Sequence, residues 1–442
     1  MMPGTETPSE VFERRREAAL LKLGDGVMVL PAAPVQHRSR DTERPYVPDR
    51  ELYYVSGATE AGAVAVLVGG PEPRFVLFVA DRDTETELWN GPVLGPERAA
   101  EAFGPDACHG LAELRERLPD LLQSGDRIYY RLGHGGPVEE LVLGALAGGR
   151  ARGSRTGTGP RGIVDPGEIL DDLRLVKDDL EVERLRRAAA ISVVGHLAGA
   201  AAIRPGAGEW LVEAAVDGAF RSAGACGPGF GTIVGAGANA CVLHYVANSA
   251  TIAEGDLVLV DAGAEAALYH GDVTRTYPAS GRFSAPQRSV YDVVERARLA
   301  AVEAVRPGAT IADVHGAAVA VLGAGLVDLG VLDGSADDAV ESGAVKRFFP
   351  HQTSHWLGLD VHDPGDYARA GCSRTLEPGM VFTIEPGLYF GRGTAEDGAA
   401  PYRGIGVRIE DDLLVTPDGC EVLGAGLPTA AADVEALVAV HA

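Results

Sequence analysis

The chain has no run of about 18 uninterrupted apolar residues. Its first residues, Met1 to Arg16, are polar and charged, with no apolar core. Both absences predict a protein without an export signal or a membrane span. Cysteine is scarce: Cys108, Cys226, Cys241, Cys372 and Cys420 are odd in number, scattered, and free of any C-x-x-C spacing. That pattern argues against a disulfide framework and fits a reduced cytoplasm. Positive charge is also short, with 39 Lys and Arg against 63 Asp and Glu and a net charge of -24. A nucleic-acid surface needs a cationic footprint, and none is offered. Three enzyme templates are missing as well: the G-x-S-x-G elbow, the Walker loop and H-E-x-x-H. Gly231 to Gly237 lacks the spacing of a nucleotide loop and reads as close-packed backbone.

What is there is an ordinary soluble composition, 46% hydrophobic and 23% charged over 442 residues, enough for two or three domains. Apolar spacing predicts a helix over Ser9 to Leu23, with Val11, Leu20 and Leu21 inward and Arg14, Arg15 and Arg16 outward. Short buried strands follow at Val27–Leu30, Ala63–Val68, Phe75–Val79 and Ile128–Tyr130, with a tight turn at Gly69-Gly70-Pro71. Helical stretches near Glu97–Phe103 and Leu111–Leu122 complete an α/β pattern without a cluster of catalytic residue types. Gly148 to Gly159 is rich in Gly, Arg, Ser and Thr and reads as a loop. Ile169 to Ala190 turns helical, and a domain boundary is expected close to Lys177. Beyond it come Ala-rich helices near Trp210–Ala223, Ser289–Val305 and Ala312–Leu329, with β segments between and after them.

Those β segments carry charge where strands should be apolar. Leu257 to Val260 is apolar on both faces and runs into Asp261, and Gly271-Asp272-Val273-Thr274 opens a second run. In a hairpin turning at Ala266 and Ala267, Asp261 would sit across from Asp272, both side chains on one face. Val381 to Ile384 ends in Glu385, just before Pro386-Gly387. In Gly404 to Glu410, alternation puts Ile405, Val407 and Ile409 on one face and Arg408 and Glu410 on the other. Any one of these acids reads equally well as an exposed or salt-bridged strand end. Together, beside histidines, they do not. Six of the 11 histidines lie between His244 and His362, and Phe349 to Asp363 alone carries His351, His355 and His362. A surface loop is the bland reading of that segment, but Leu357, Leu359 and Val361 ask to be buried. His355 and His362 would point apart on a regular strand, so a bend is expected at Gly358. One His with four carboxylates is a hard, oxygen-rich set that suits a pair of divalent ions such as manganese better than structural zinc. Ions about 3.5 to 4 Å apart can hold a hydroxide between them, an arrangement that hydrolyses amides or phosphoesters.

Between Gly231 and Glu410 the chain reads G-T-I-V-G-A-G-A-N-A-C-V-L-H-Y, V-D-A-G, G-D-V-T-R-T-Y-P, S-H-W-L-G-L-D-V-H-D, L-E-P-G-M-V-F-T-I-E-P-G-L-Y and, running on past it, Y-R-G-I-G-V-R-I-E-D-D. On these motifs, and over nearly its whole length, it resembles the aminopeptidase P family of pita-bread, creatinase-like metallopeptidases. The resemblance implies an α/β N-terminal domain, creatinase-like, over residues 1–175. An α+β pita-bread catalytic domain with a curved antiparallel sheet would follow over residues 176–442. It implies Asp261, Asp272, His355, Glu385 and Glu410 as ligands of two divalent ions, manganese by preference, with Asp272 and Glu410 bridging. His244, His351 and His362 would hold substrate and stabilise charge, Glu385 would orient the metal-bridging hydroxide and accept its proton, and Arg408 would pair with a ligating Asp. Tyr389 and Arg374 would line the pocket, and Trp89 would lie near a neighbouring subunit's site. The implied reaction is release of the first residue from peptides with proline second, by a cytoplasmic homodimer or homotetramer with no nucleic-acid or membrane partner. Prolidase, acting on Xaa-Pro dipeptides, is the nearest alternative, and a non-catalytic peptide-binding relative a more distant one. Methionine aminopeptidases share the ligands but usually lack such an N-terminal domain. Gln352 departs from the family, which has a small residue after the equivalent of His351, and the Gly148 to Gly159 stretch has no clear counterpart.

Overall fold

The computed structural model describes residues 8–439. Met1 to Thr7, part of the segment judged to lack an export signal, and residues 440–442 lie outside the described residues. The chain divides into two units between Leu173 and Arg174.

In the first unit, strands β1 (Val27–Pro31), β2 (Val64–Val68), β3 (Arg74–Val79), β4 (Ala107–Gly110), β5 (Ile128–Tyr129) and β6 (Ile163–Val164) form a mixed sheet in the order β4-β3-β2-β1-β5-β6. β1 pairs antiparallel with β2 and parallel with β5. Val27, Val29, Val64, Val66, Val76 and Phe78 pack with Leu118, Leu122 and Val142 of the covering helices. Gly69 is needed for the turn, since a Cβ there would lie 2.0 Å from Gly24 O.

Helix α1 (Ser9–Leu23) has the expected bounds but a different inner face. Arg15 and Arg16 are buried, with the Arg15 guanidinium 4.4 Å from the Tyr54 ring and that of Arg16 4.5 Å from Phe75. Arg16 Nη1 also donates to Val55 O at 3.1 Å. Aromatic faces and a backbone carbonyl accept the two cations, while Leu21 is 86% exposed. The Gly148 to Gly159 stretch is not a loop throughout, because helix α2 (Gly136–Thr156) runs through most of it. Val138, Val142 and Ala145 bury its face, and a Cβ at Gly149 would lie 2.6 Å from Pro160 O. Glycine there serves close approach, which composition alone cannot distinguish from flexibility.

Ile169 to Ala190, which spans the division between the units, is two helices. Helix α3 (Gly167–Leu175) begins in the first unit, and α4 (Asp179–Ala202) starts at a capping box in which Asp178 Oδ1 accepts from Glu181 N and Glu181 Oε2 from Asp178 N. Helices α5 (Glu209–Ser222), α6 (Ala285–Ala304) and α7 (Ile311–Asp328) follow. Among the described residues, α7 is the one helix long and apolar enough to cross a membrane. Here it packs on α6, with Gly325 so close that a Cβ would lie 2.3 Å from Val293 Cγ1.

The strands of the second unit pair antiparallel in short ladders. β7 (Ile233–Ala236), β8 (Leu257–Ala262) and β11 (Val273–Pro278) form one, with the small hairpin β9 (Ala264–Ala266) and β10 (Tyr269–His270) at its end. β12 (Val381–Ile384) pairs with β15 (Asp411–Thr416), and β13 (Gly387–Tyr389) with β14 (Gly406–Arg408). Arg275 joins these ladders from a site 0% exposed. Its five N–H groups are all used: Nε donates to Pro428 O, Nη1 to Thr274 O and Glu410 O, and Nη2 to Asp411 Oδ1 and Leu427 O. Arg298 Nε takes the other Asp411 oxygen. Asp411→Ala therefore leaves two buried cations short of a partner, and urea denaturation is expected to show a loss of about 3–5 kcal/mol. A loss below about 1 kcal/mol would contradict that role for the network.

Candidate metal centre

β8 delivers Asp261 from a strand buried on both faces. The register differs from the expected one: Asp261 pairs with Thr274 and Ala262 with Val273. The turn sits one residue later than expected, at Ala267 and Leu268, whose φ values of 50° and 72° are left-handed. Moving a turn by one residue shifts cross-strand pairing by two, which preserves the face. Asp261 and Asp272 accordingly open into one cavity.

Thr353 to Leu357 lies along β12, with Glu385 N donating to Thr353 O at 2.8 Å, Thr383 N to His355 O at 2.9 Å and Leu357 N to Val381 O at 3.0 Å. This pairing carries His355 to the same place as Glu385. The chain then bends over Gly358 to His362, where a Cβ on Gly358 would lie 2.5 Å from Asp363 Oδ2. Asp363 is held by Arg174 Nη2 at 2.6 Å and Lys177 Nζ at 2.9 Å. The bend brings the His355 and His362 rings to 4.2 Å. Glu410 arrives through its N–H to Thr274 O, 3.0 Å.

The cavity, of about 790 Å³, carries Asp261, Asp272, His355, Glu385 and Glu410 on its wall, together with His244, His351, His362 and Arg408. Tyr389 and Arg374 are not among the described residues that line it. Tyr389 lies behind the wall, its hydroxyl 2.9 Å from both Arg408 Nη1 and His351 Nε2. Trp89 belongs to the first unit and is 82% exposed. The sequence reading missed the apolar part of the wall, including Phe230, Ile233, Leu243 and Ile311, and also Tyr367, which stacks on Trp356 at 5.3 Å. It also missed Thr274, whose hydroxyl donates to Glu410 Oε2 at 2.6 Å and accepts from Arg408 Nε at 3.2 Å. Apolar residues in apolar segments carry no signal of their own; Thr274, an inward hydroxyl between two marked positions, did.

The donor set asks for cations. One atom each of Asp272, His355 and Glu410 lies within 4.8 Å of the others. His355 Nδ1 faces Trp356 O at 3.1 Å, which places its proton there and turns the Nε2 lone pair toward Asp272 Oδ2, 3.3 Å away. A lone pair facing a carboxylate oxygen is repulsive until a cation or proton lies between. Arg408 Nη2 satisfies Asp261 Oδ2 at 2.6 Å, yet among the described residues Asp261 Oδ1 is buried with no hydrogen-bond partner. Burial, then the neighbouring Glu410, pushes Glu385 up to about 8. Burial and nearby acids also hold Asp272 and Glu410 well above the usual carboxylate range. Behind them Asp412 accepts from Asp272 N at 3.0 Å. These residues fit oxygen-liganded divalent ions with one imidazole.

His351 differs. Burial, then Arg408, lowers it to about 4, so it is neutral near pH 7. Its Nδ1–H donates to Gln352 O at 2.8 Å, and the Tyr389 hydroxyl, already accepting from Arg408, donates to its Nε2.

Residues 183–417 match the family model for metallopeptidase family M24, and residues 12–129 the model for the aminopeptidase P N-terminal domain. The chain is 39% identical to the Xaa-Pro aminopeptidase of Escherichia coli K12 over 439 residues, 98% of each. Among solved structures, it is similar to the aminopeptidase PepP of Pseudomonas aeruginosa, with a TM-score of 0.93, 40% identity and 99% coverage of both chains. A variant of Escherichia coli aminopeptidase P in complex with substrate gives a TM-score of 0.93 at 38% identity, covering 99% of both.

Raised carboxylate pKa values favour the folded, metal-free protein at low pH and lose that contribution as pH climbs through the folded value. For Glu385 that window runs from the ordinary carboxylate range up through about 8. Melting in chelator is expected to show stability falling between about pH 5 and pH 8, and Glu385→Gln should flatten part of the fall. A flat profile in the parent protein would contradict the crowding.

Proposed function

The chain belongs to metallopeptidase family M24, and from that membership and the geometry of the cavity we propose that it is a metal-dependent aminopeptidase releasing the first residue from peptides with proline second. The observation that carries this reading is the convergence of Asp261, Asp272, His355, Glu385 and Glu410 on one cavity whose remaining wall is largely apolar. We assign these five as the residues that would hold two divalent ions, manganese by preference. The ions would supply Lewis acidity toward the scissile carbonyl and the attacking water.

The chain's own residues do the rest. Glu385 orients the attacking water and takes its proton, then passes it to the proline nitrogen as the C–N bond breaks. His244, His351 and His362 border the reacting carbonyl and the peptide backbone. Neutral His351 presents no charge to a cationic site, so it coexists with the ions. Arg408 neutralises Asp261 and, through Tyr389, holds His351. Because a proline nitrogen has no N–H, recognition falls to ring shape, for which Phe230, Leu243 and Ile311 supply an apolar wall.

The full-length match to a Xaa-Pro aminopeptidase favours this reading over prolidase. The intact carboxylate set argues against a non-catalytic relative. We place the domain division at residue 175, close to the division between the two units, with the two family models falling on either side. Five cysteines, none of them in a disulfide among the described residues, support a reducing cytoplasm. Exposed Leu88 and Trp89 support an assembly of two or four copies.

The test is hydrolysis of a matched pair, Xaa-Pro and Xaa-Pro-Pro-Yaa, by metal-stripped protein reloaded with manganese. Cleavage of the longer peptide at its first bond is expected, whereas cleavage of the dipeptide alone would make the protein a prolidase. Asp272→Ala should abolish activity and lower metal content, and retained hydrolysis at full metal loading would overturn the assignment.

A further inference from the structure

Helix α4 carries no residue of the cavity wall, yet two of its polar side chains, one turn apart, are fully buried: Ser192 and His196, both 0% exposed. A buried imidazole without a catalytic task needs a reason. Its Nε2 lies 3.1 Å from Ala262 O and 2.9 Å from Val273 O. Both partners are acceptors, so Nε2 carries the proton and shares it between them. Its Nδ1, 3.3 Å from the Tyr277 hydroxyl, then accepts. Burial, then the charge of Arg275, lowers the group to about 4, so this neutral tautomer persists across working pH. One N–H thus ties together the backbones of β8 and β11 at the residues immediately after Asp261 and Asp272.

Ser192 does the companion work. Its hydroxyl accepts from Ala264 N at 2.9 Å and donates to Ala188 O at 2.9 Å. Gly271, next to Asp272, comes so near the helix that a Cβ would sit 2.6 Å from Ser192 Oγ. The β8–β11 ladder already pairs Asp261 with Thr274 and Ala262 with Val273, Arg408 holds the Asp261 carboxylate, and the Asp272 N–H reaches Asp412.

We propose that His196, assisted by Ser192, is a positioning residue that sets the spacing of Asp261 and Asp272 through the Ala262 and Val273 carbonyls, and so sets metal affinity at a site it never touches. The inference rests on reading that cavity as a metal centre. His196→Gln keeps an N–H near the Nε2 position, His196→Asn reaches only the Nδ1 position, and His196→Leu keeps bulk without a donor. Manganese binding to the stripped full-length protein is measured by titration calorimetry, with kcat and KM at saturating metal alongside. Affinity near that of the parent is expected for His196→Gln, and a loss of about 10-fold or more for His196→Asn and His196→Leu. In those two, kcat should fall while KM holds. If the leucine variant does not fold, the Gln and Asn pair, matched in polarity, decides. Equal affinity in parent, Gln and Asn proteins overturns the proposal and leaves the metal centre standing. Absence of manganese binding in the parent overturns both.

Discussion

Everything around the cavity answers one constraint: like charges must be kept close together in a place with little water. Four carboxylates and an imidazole lone pair repel one another without a cation among them, and burial raises the cost of each charge. The fold meets this by fixing backbone first. Arg275 spends its donors on the carbonyls of Thr274, Glu410, Leu427 and Pro428 and on Asp411, all one step removed from the reacting groups. Among the described residues Arg408 is the one Lys or Arg in the wall, and it meets Asp261 directly and reaches Glu410 through the Thr274 hydroxyl. A guanidinium paired with every acid would have filled the place that metal needs.

Rigid backbone explains why these acids sit in a strand, as Asp261 does, or within two residues of a strand end, as Asp272, Glu385 and Glu410 do. A strand buried on both faces, such as Leu257–Ala262, cannot rotate its terminal aspartate away from a repelling partner. The left-handed Ala267 and Leu268 add local strain of the kind that persists only where surrounding contacts demand it. Next to them, Gly263 packs so tightly that a Cβ would lie 1.6 Å from Gly271 O. The hairpin is compressed at the point where its two aspartates emerge, so small changes in its backbone reach both of them together.

The acids were legible in the sequence because a strand has period two and a charge inside an apolar strand breaks a simple rule. The bend at Gly358 was legible for the same reason, since two histidines at odd spacing could not otherwise meet. The hairpin register was not, because Ala267-Leu268 has none of the Asn, Asp or Gly chemistry that announces such a turn. Parity rescued the conclusion: a shift of two leaves the face unchanged. Arg15 and Arg16 were misread because charge normally marks an outward face, and only the folded chain shows Tyr54 and Phe75 receiving them. The glycines of Gly148 to Gly159 were misread because composition does not say what lies opposite. Long-range partners of this kind, Thr274 with Arg408 or Ile311 with the histidine segment, are products of topology and leave no local pattern.

The same constraint accounts for the contrast between the two best-defined histidines of the segment. His355 keeps its Nε2 lone pair free by giving its Nδ1 proton to Trp356 O. His351 has its Nε2 occupied by the Tyr389 hydroxyl and its Nδ1 proton on Gln352 O. One imidazole therefore turns an open lone pair toward Asp272 and the other does not, although both line the cavity on one short segment. The difference comes from the second partner of each ring, a carbonyl against a hydroxyl that Arg408 has already polarised. Sequence can nominate both histidines, but hydrogen-bond direction decides which of them faces a cation with an open lone pair. Gln352 enters here through its backbone alone: its carbonyl fixes the His351 tautomer, and any residue at that position would offer the same atom. Gln352 therefore leaves the proton arrangement of His351 intact, and what it changes is the side chain it adds to the cavity wall.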